Sequence, residues 1–570
     1  MTIKDIYNKW VQCATYDPEI IQELKSMEAD DETIAERFYS DLQFGTGGLR
    51  GGLGAGSNRM NVYTVKKATK GLSIYLNELF RNPSVAIAFD SRKNSLVFAE
   101  AAAEVFAANG VRVYIFNELT PTPMLSFAIR TLKTSAGIVI TASHNPAEYN
   151  GYKVYGNDGC QITLAAADKI TECIRSVDIF KDTESDHYDS LYEKGLIQAV
   201  PKFVSDTYFN EIINLSLFTC EGADLRVVYS PLNGTGNKPV KHILKKIGIH
   251  DIVAVPEQEN PDSTFKTCPY PNPEEESALR LAIREAYKTD ADIVLATDPD
   301  CDRVGTAVKY QGAYVQINGN QMGILLFDFI CSIKKQSGMM PERPVAIKTI
   351  VTSEMAQAVA DSFGVELINV LTGFKFIGEN IGRLEEKGEE GRFVFGFEES
   401  YGYLAGSYVR DKDAVLASML ICQMTAYYKQ QGKTLVDVLN VLYKKYGFYY
   451  EKLESYTFKG ESGMETMREI MHSLRIDPPA VLGGLVVQTV RDYLLSREYE
   501  KGVVRHITLP SSDVVGLFLA NGSSVIIRPS GTEPKLKIYY SLKCADQTIS
   551  KDLFGKVKES LIELLKKFNL

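Results

Sequence analysis

The side chains with the most capacity for chemistry fall in four short loops. In Asp298-Pro299-Asp300-Cys301-Asp302-Arg303, three carboxylates occupy alternate positions of a tight turn and can converge on one hard cation. The stretch is too short for an EF-hand, whose loop needs a glycine where this one has Arg303 and a glutamate further on. Mg²⁺ takes few carboxylates and fills its shell with phosphate oxygens and water, so three aspartates suit a phosphorylated partner. Arg303 can fork onto such a phosphate. A solvated acidic turn is the plainer alternative, but three crowded carboxylates with no counter-charge repel one another.

Thr141-Ala142-Ser143-His144-Asn145-Pro146 offers a serine beside a histidine. A serine hydroxyl is a weak nucleophile until a base, a metal or a cation activates it. His144 and Lys153, the latter in Asn150-Gly151-Tyr152-Lys153, are the nearby candidates. Taken alone, the segment reads at least as well as a polar turn capping the next helix. Gly396-Phe397-Glu398-Glu399-Ser400-Tyr401-Gly402 sets carboxylates and a hydroxyl between glycines, which suits vicinal sugar hydroxyls and equally a capped turn. Arg528-Pro529-Ser530-Gly531-Thr532-Glu533-Pro534 joins an arginine, two hydroxyls and backbone N–H groups around a glycine. Those are the parts of a phosphate cradle, with a plain hairpin connection as the alternative.

Positioning these loops falls to a repeated rhythm of β-branched strand, polar turn and amphipathic helix. Strands are expected at Val85–Phe89, Val111–Phe116 and Ala136–Thr141, with helices from about Leu96 and near Leu125. The rhythm returns at Leu225–Ser230, Ile252–Pro256 and Ile293–Thr297, with a helix at Lys238–Ile247. It continues at Val345–Val351, Glu366–Val370 and Arg392–Phe395, with a helix from Ser353. Such alternation predicts α/β units with parallel strands and crossover helices. In open sheets of this kind ligands gather at the carboxyl ends of strands, where three of the four loops lie. The C-terminal stretch differs: strands around Leu485–Val490, Val514–Leu519, Ser524–Arg528 and Leu536–Leu542, then a helix at Ile549–Phe568, read as a separate α+β module.

At roughly 150 residues per domain, 570 residues predict three to four domains. Apolar residues at 45% and charged ones at 24% are ordinary globular composition and exclude disorder, collagen and coiled coil. A net charge of −9 argues against nucleic acid or an anionic membrane as the main partner, while leaving small anions to local charge. No uninterrupted apolar run is long enough for a membrane span. MTIKDIYNKW has no apolar core, so no signal peptide is expected. Nine cysteines without C-x2-C spacing and six unclustered histidines argue against a zinc enzyme and suit a cytoplasmic protein with reduced thiols.

The four loops, in this order and spacing, resemble the hallmark loops of the α-D-phosphohexomutase superfamily, the phosphoglucomutase/phosphomannomutase family. Further matches are Phe44-Gly45-Thr46-Gly47-Gly48-Leu49-Arg50-Gly51, Asp90-x-Arg92, Thr372-Gly373-Phe374-Lys375 and Arg410-Asp411-Lys412-Asp413. The likeness covers essentially the whole chain except about the first 40 residues, which read as a helical extension. It implies three similar α/β domains with mixed sheets and a C-terminal α+β domain resembling a TATA-binding-protein module, arranged around one central cleft. The corresponding expectation for domains is residues 1–204, 205–322, 323–448 and 449–570.

By the same resemblance, Ser143 is the phosphoserine, surrounded by His144, Lys153 and Arg50. Asp298, Asp300 and Asp302 hold one Mg²⁺ together with the phosphorylated Ser143. Glu398 and Ser400 meet the sugar hydroxyls, and Arg528, Ser530, Gly531 and Thr532 hold the distal phosphate. Arg303, Lys412, Thr372 and Gly373 match substrate-contacting positions. Phosphoserine would give its phosphoryl group to a hexose phosphate, and the resulting bisphosphate would turn end for end and return its other phosphate. Glucose 1,6-bisphosphate would thus be both intermediate and activator. The Glu-Glu-Ser form resembles glucose-preferring members, while the Thr-Ala-Ser-His-Asn-Pro and Asp-Pro-Asp-x-Asp-Arg forms look like the subgroup that includes phosphopentomutases. Glucose phosphate is the expected substrate, with pentose phosphate next and mannose phosphate third. A Mg²⁺-dependent sugar phosphatase and a catalytically silent relative are the alternatives outside the mutases. Small sugar phosphates are the expected partners, and nothing in the sequence sets the oligomeric state.

Overall fold

The computed structural model describes residues 2–45, 47–458, 460–529 and 535–568. The chain divides into two compact units: Met1–Asn318 with Ile377–Phe393 and Tyr401–Gly432, and Gly319–Phe376 with Val394–Ser400 and Lys433–Leu570.

The first unit begins with the expected helical extension, Ile3–Cys13, Pro18–Ser26 and Asp31–Phe38. Each start is encoded locally. Thr2 and Asp5 form a reciprocal capping box, Asp17 caps ahead of Pro18, and Asp30 caps the third helix. Trp10 and Phe38 are buried edge-to-face at 5.8 Å, and Trp10 also meets Tyr63 and Phe180, fastening the extension to the neighbouring α/β layers.

Beyond it lies a sheet in the order Gly48–Gly52, Tyr149–Gly156, Ala136–Ile140, Ser84–Phe89, Arg112–Ile115, Ile197–Ala199. The last four are parallel, and Ala136–Ile140 is buried along its whole length, as a strand covered on both faces must be. The first two run antiparallel and were not expected from the sequence. Their glycines explain both their existence and their invisibility. A Cβ on Gly48, at φ 136°, would lie 1.9 Å from the Tyr152 carbonyl oxygen, and one on Gly151 would lie 2.5 Å from that of Thr141. These strands carry Arg50 and Lys153.

A second sheet in this unit has the order Ala313–Ile317, Val304–Tyr310, Ile293–Thr297, Val227–Ser230, Ile252–Ala254. The last three are the expected parallel strands, and the first two form an antiparallel continuation. The helix Ala414–Lys429 also belongs to this unit, capped by Asp413 through the N–H groups of Val415 and Leu416.

In the second unit Val345–Thr349 pairs in parallel with Glu366–Val370, and residues 394–398 of the strand Phe393–Glu398 flank its other side. From Phe448 onward the sheet is antiparallel: Phe448–Thr457, Lys535–Cys544, Ser524–Pro529, Val515–Leu519, Leu485–Asp492, Arg497–Glu500, Val503–His506. The helices Gly460–Ile476 and Gln547–Leu565 cover it through Met467, Ile470, Met471, Val557 and Leu561. This is the α+β module expected at the C-terminus.

Candidate active site

Ser143 follows the buried strand Ala136–Ile140 and holds a left-handed backbone, φ 52°. Strain of that kind in a non-glycine residue persists only where the surroundings enforce it. Thr141 Oγ1 accepts the Ser143 N–H at 2.7 Å, and Arg92 holds the carbonyl side. Its guanidinium donates to the carbonyl oxygens of Ser143 (2.6 Å), Pro146 (2.7 Å), Tyr149 (3.1 Å) and Asn145. Arg92 is itself buried, paired with Asp90 at 3.3 Å and set over the Phe265 ring. The sequence showed Asp90-x-Arg92 only as a family match; its physical task is to shape the serine loop.

The strand Ile293–Thr297 delivers the aspartates. Asp298 is bound into the turn, its Oδ1 accepting the N–H groups of Asp302 (3.1 Å) and Arg303 (3.0 Å). Its Oδ2 accepts the Ser143 hydroxyl at 3.0 Å. Asp298, Asp300 and Asp302 are all buried, and each places a carboxylate oxygen within 4.8 Å of the others. Burial and the charges of Asp300 and Asp302 push the Asp298 carboxyl well above the usual carboxylate range. Burial acts the same way on Asp300, but Lys153, the Asp298 hydrogen bond and Lys412 together outweigh it and hold that carboxyl below the usual range.

Cations meet these carboxylates from two directions. Lys153 Nζ lies 2.7 Å from Asp300 Oδ2 and 3.8 Å from Asp302 Oδ2, and Lys412 Nζ lies 2.7 Å from Asp302 Oδ2. Thr122 grips the same turn, donating its N–H to the Asp300 carbonyl (2.9 Å) and its hydroxyl to Asp300 Oδ2 (3.1 Å). Nothing in the sequence singled out Thr122. Arg303 is engaged by Glu274 at 2.8 Å, and Arg50, at the exposed edge of the site, contacts Asn145 Oδ1 at 3.3 Å.

His144 Nδ1 lies 3.2 Å from Ser143 Oγ. Burial, then the charges of Arg303 and Arg50, hold the imidazole well below its ordinary pKa, so it is neutral at physiological pH. A neutral ring can take or return the Ser143 proton.

The donor set fits a hard divalent cation. Three oxygen ligands converge, and among the described residues Asp300 Oδ1 and Asp302 Oδ1 are buried without a hydrogen bond. Arg303 Nε stands 3.8 Å from Asp302 Oδ1, beyond hydrogen-bond reach, so both oxygens keep the capacity to bind a cation.

The remaining expected residues belong to the second unit. Glu398 is buried at the end of Phe393–Glu398, Ser400 is half-buried, and Glu399 accepts the hydroxyls of Thr349 (3.1 Å) and Thr352 (3.3 Å). Gly373 has φ 116°, a conformation only glycine adopts readily, at the start of the helix Phe374–Glu385. The neighbouring Thr372 hydroxyl is buried without a hydrogen bond among the described residues. Arg528 is the penultimate residue of the strand Ser524–Pro529, half-buried. Ser530, Gly531 and Thr532 lie outside the described residues.

Residues 41–179, 206–312 and 318–446 match the family models for phosphoglucomutase/phosphomannomutase alpha/beta/alpha domains I, II and III. The chain is 39% identical to a phosphoglucomutase of Staphylococcus aureus, over 90% of this chain and 91% of that protein. It is 37% identical to a phosphoglucomutase of Staphylococcus haemolyticus, over 91% and 94%. The solved phosphoglucomutase (parafusin) of Paramecium shares the fold, with a TM-score of 0.68 at 18% identity over 93% of this chain and 95% of that one.

Proposed function

The chain belongs to the phosphoglucomutase/phosphomannomutase family, and from that premise we propose that it interconverts glucose 1-phosphate and glucose 6-phosphate through a phosphoserine at Ser143. The observation that carries this reading is the meeting of the Ser143 hydroxyl with Asp298 at 3.0 Å, inside a buried group of three carboxylates faced by Lys153 and Lys412.

Phosphoryl transfer needs in-line positioning and neutralised oxygens. The left-handed turn at Ser143, held by Arg92, fixes the direction in which Oγ presents its phosphoryl group. Lys153, Arg50, Lys412 and Arg303 are suited to balance phosphoryl charge. When phosphoserine becomes serine, Oγ gains the proton that the attacking sugar hydroxyl gives up; in the return step neutral His144, 3.2 Å from Oγ, takes the serine proton and it passes to the departing sugar oxygen. Asp298, Asp300 and Asp302, with the phosphorylated Ser143, would hold Mg²⁺, which when bound neutralises the phosphoryl oxygens and the serine oxygen as it leaves. Burial of Ser143, 3% exposed, keeps water from competing with the sugar hydroxyl.

Transfer to glucose 1-phosphate leaves glucose 1,6-bisphosphate and a free serine; return of the other phosphate yields glucose 6-phosphate. Glu398 and Ser400 are suited to the sugar hydroxyls, Thr372 and Gly373 to the same substrate. Arg528, Ser530, Gly531 and Thr532 are suited to the phosphate that does not react. Among the described residues no helix is long and apolar enough to cross a membrane. A cytoplasmic location accords with nine cysteines, none of them bridged.

Supplying glucose 1-phosphate and Mg²⁺ with and without a trace of glucose 1,6-bisphosphate tests the reading. Bisphosphate-stimulated glucose 6-phosphate formation is the expected result. Release of inorganic phosphate as the main product would make the protein a phosphatase instead.

A further inference from the structure

We propose that Tyr155 and Asp411 are a positioning pair that aims Lys412 at the Asp302 end of the aspartate turn, an assignment that rests on the proposed mutase site. Asp411 holds Lys412 twice through one oxygen: Oδ1 accepts the Lys412 N–H at 2.9 Å and lies 3.3 Å from its Nζ. The other oxygen, Oδ2, accepts the Tyr155 hydroxyl at 2.7 Å. Lys412 Nζ in turn reaches Asp302 Oδ2 at 2.7 Å. A continuous line of contacts therefore runs from a tyrosine in a strand to the carboxylate that the lysine serves.

The origin of that line is Tyr149–Gly156, the antiparallel strand that also carries Lys153. Residues 153 and 155 share a face of the strand, because alternate side chains point the same way. Lys153 meets Asp300 directly, whereas Tyr155 sets Lys412 against Asp302 through Asp411. One strand thus fixes the spacing of both ammonium groups across the carboxylates.

The segment around Lys412 has other anchors that do not involve Tyr155. The Arg410 N–H donates to Ser126 Oγ at 3.0 Å, and the Arg410 guanidinium meets Glu385 at 2.5 Å. Asp413 accepts the hydroxyls of Tyr208 (2.8 Å) and Tyr408 (2.6 Å) and caps the helix Ala414–Lys429. Removing the Tyr155 hydroxyl therefore leaves the backbone in place and loosens the Asp411 side chain with the lysine it steers. A flexible four-carbon stem released in this way regains rotamer freedom that each turnover must then remove.

Three variants test the pair: Tyr155→Phe, Lys412→Ala and the double substitution. Tyr155→Phe is expected to melt within a few degrees of wild type and to lose about 10-fold in kcat/KM, the order of one hydrogen bond to a charged group. In the Lys412→Ala background the same change should cost nothing further, because the residue it acts through is gone. Additive losses in the double variant, or wild-type turnover in either single variant, would overturn the proposal. Competitive acetylation of lysines, read by mass spectrometry, tests the geometry without turnover. Tyr155→Phe should raise labelling of Lys412 relative to Lys153 several-fold, and an unchanged ratio would overturn the pair even with the mutase reading intact. A raised ratio in a protein lacking mutase activity would support the pair and sink the mutase reading instead.

Discussion

Arg92→Met is the substitution whose consequences can be worked out furthest. Methionine keeps most of the apolar stem but removes the guanidinium donors that reach the carbonyl oxygens of Ser143, Asn145, Pro146 and Tyr149. It also strands Asp90, which is 1% exposed and has Arg92 as its ion-pair partner. Removing one member of a buried pair costs about 3–5 kcal/mol. The rate effect has a separate origin. Thr141 Oγ1 still accepts the Ser143 N–H at 2.7 Å, but the carbonyl side of the left-handed turn is released, and a misplacement of about 1 Å at a reacting atom costs roughly 100-fold. Guanidinium chloride denaturation and a coupled assay of glucose 6-phosphate formation at saturating bisphosphate give the two quantities. The double variant Asp90→Asn/Arg92→Met separates them: it removes the stranded charge, so it should recover much of the stability and little of the rate. Turnover of Arg92→Met within a few-fold of wild type would refute the claim that Arg92 shapes the serine loop.

Asp300→Asn should slow transfer by about 100-fold or more and shift the Mg²⁺ titration to weaker binding, since a buried ligand and the partner of Lys153 are both lost; full activity after exhaustive chelation would make the three aspartates a structural turn. Arg528→Ala should lower kcat/KM roughly 10- to 200-fold, the worth of one charged hydrogen bond, and leave Mg²⁺ affinity unchanged. Burial pushes the Glu451 carboxyl up to about 7 against an ordinary 4.5, with Glu354 adding to the rise and the Ser353 hydroxyl and Lys348 opposing it. Between those values the unfolded chain has lost a proton that the folded one keeps, so Glu451 costs stability as pH rises toward 7. Glu451→Gln should therefore be more stable than wild type by about 1–3 kcal/mol in denaturation at pH 8, with the gain shrinking by pH 5; an equal gain at both pH values would contradict the assignment.

The parallel strands were legible because burial on both faces demands unbroken apolar runs: Ser84–Phe89, Ala136–Ile140 and Ile293–Thr297 appear where Val85–Phe89, Ala136–Thr141 and Ile293–Thr297 were expected. Gly48–Gly52 and Tyr149–Gly156 escaped, although they carry Arg50 and Lys153, because close approach of their backbones selects glycine over the β-branched residues that advertise a strand. Ser143, His144 and the aspartates could be named from local pattern, since each lies within one short turn. Arg92, Thr122, Tyr155 and Asp411 act on partners far away in sequence, 51 positions in the case of Arg92 and Ser143, and 256 in that of Tyr155 and Asp411. No local signal encodes such a contact; only the fold brings the two ends together.

The central claim is that Ser143 carries the phosphoryl group between the two ends of the sugar. Its most direct test is intact-mass and peptide-mapping analysis of protein exposed to glucose 1,6-bisphosphate and Mg²⁺, desalted, and then given glucose 1-phosphate. Wild type is expected to hold one phosphate, mapped to Ser143, and to lose it to the sugar, while Ser143→Ala folds normally and acquires none. A phosphate mapped to another residue, or mutase turnover retained by Ser143→Ala, would contradict the account.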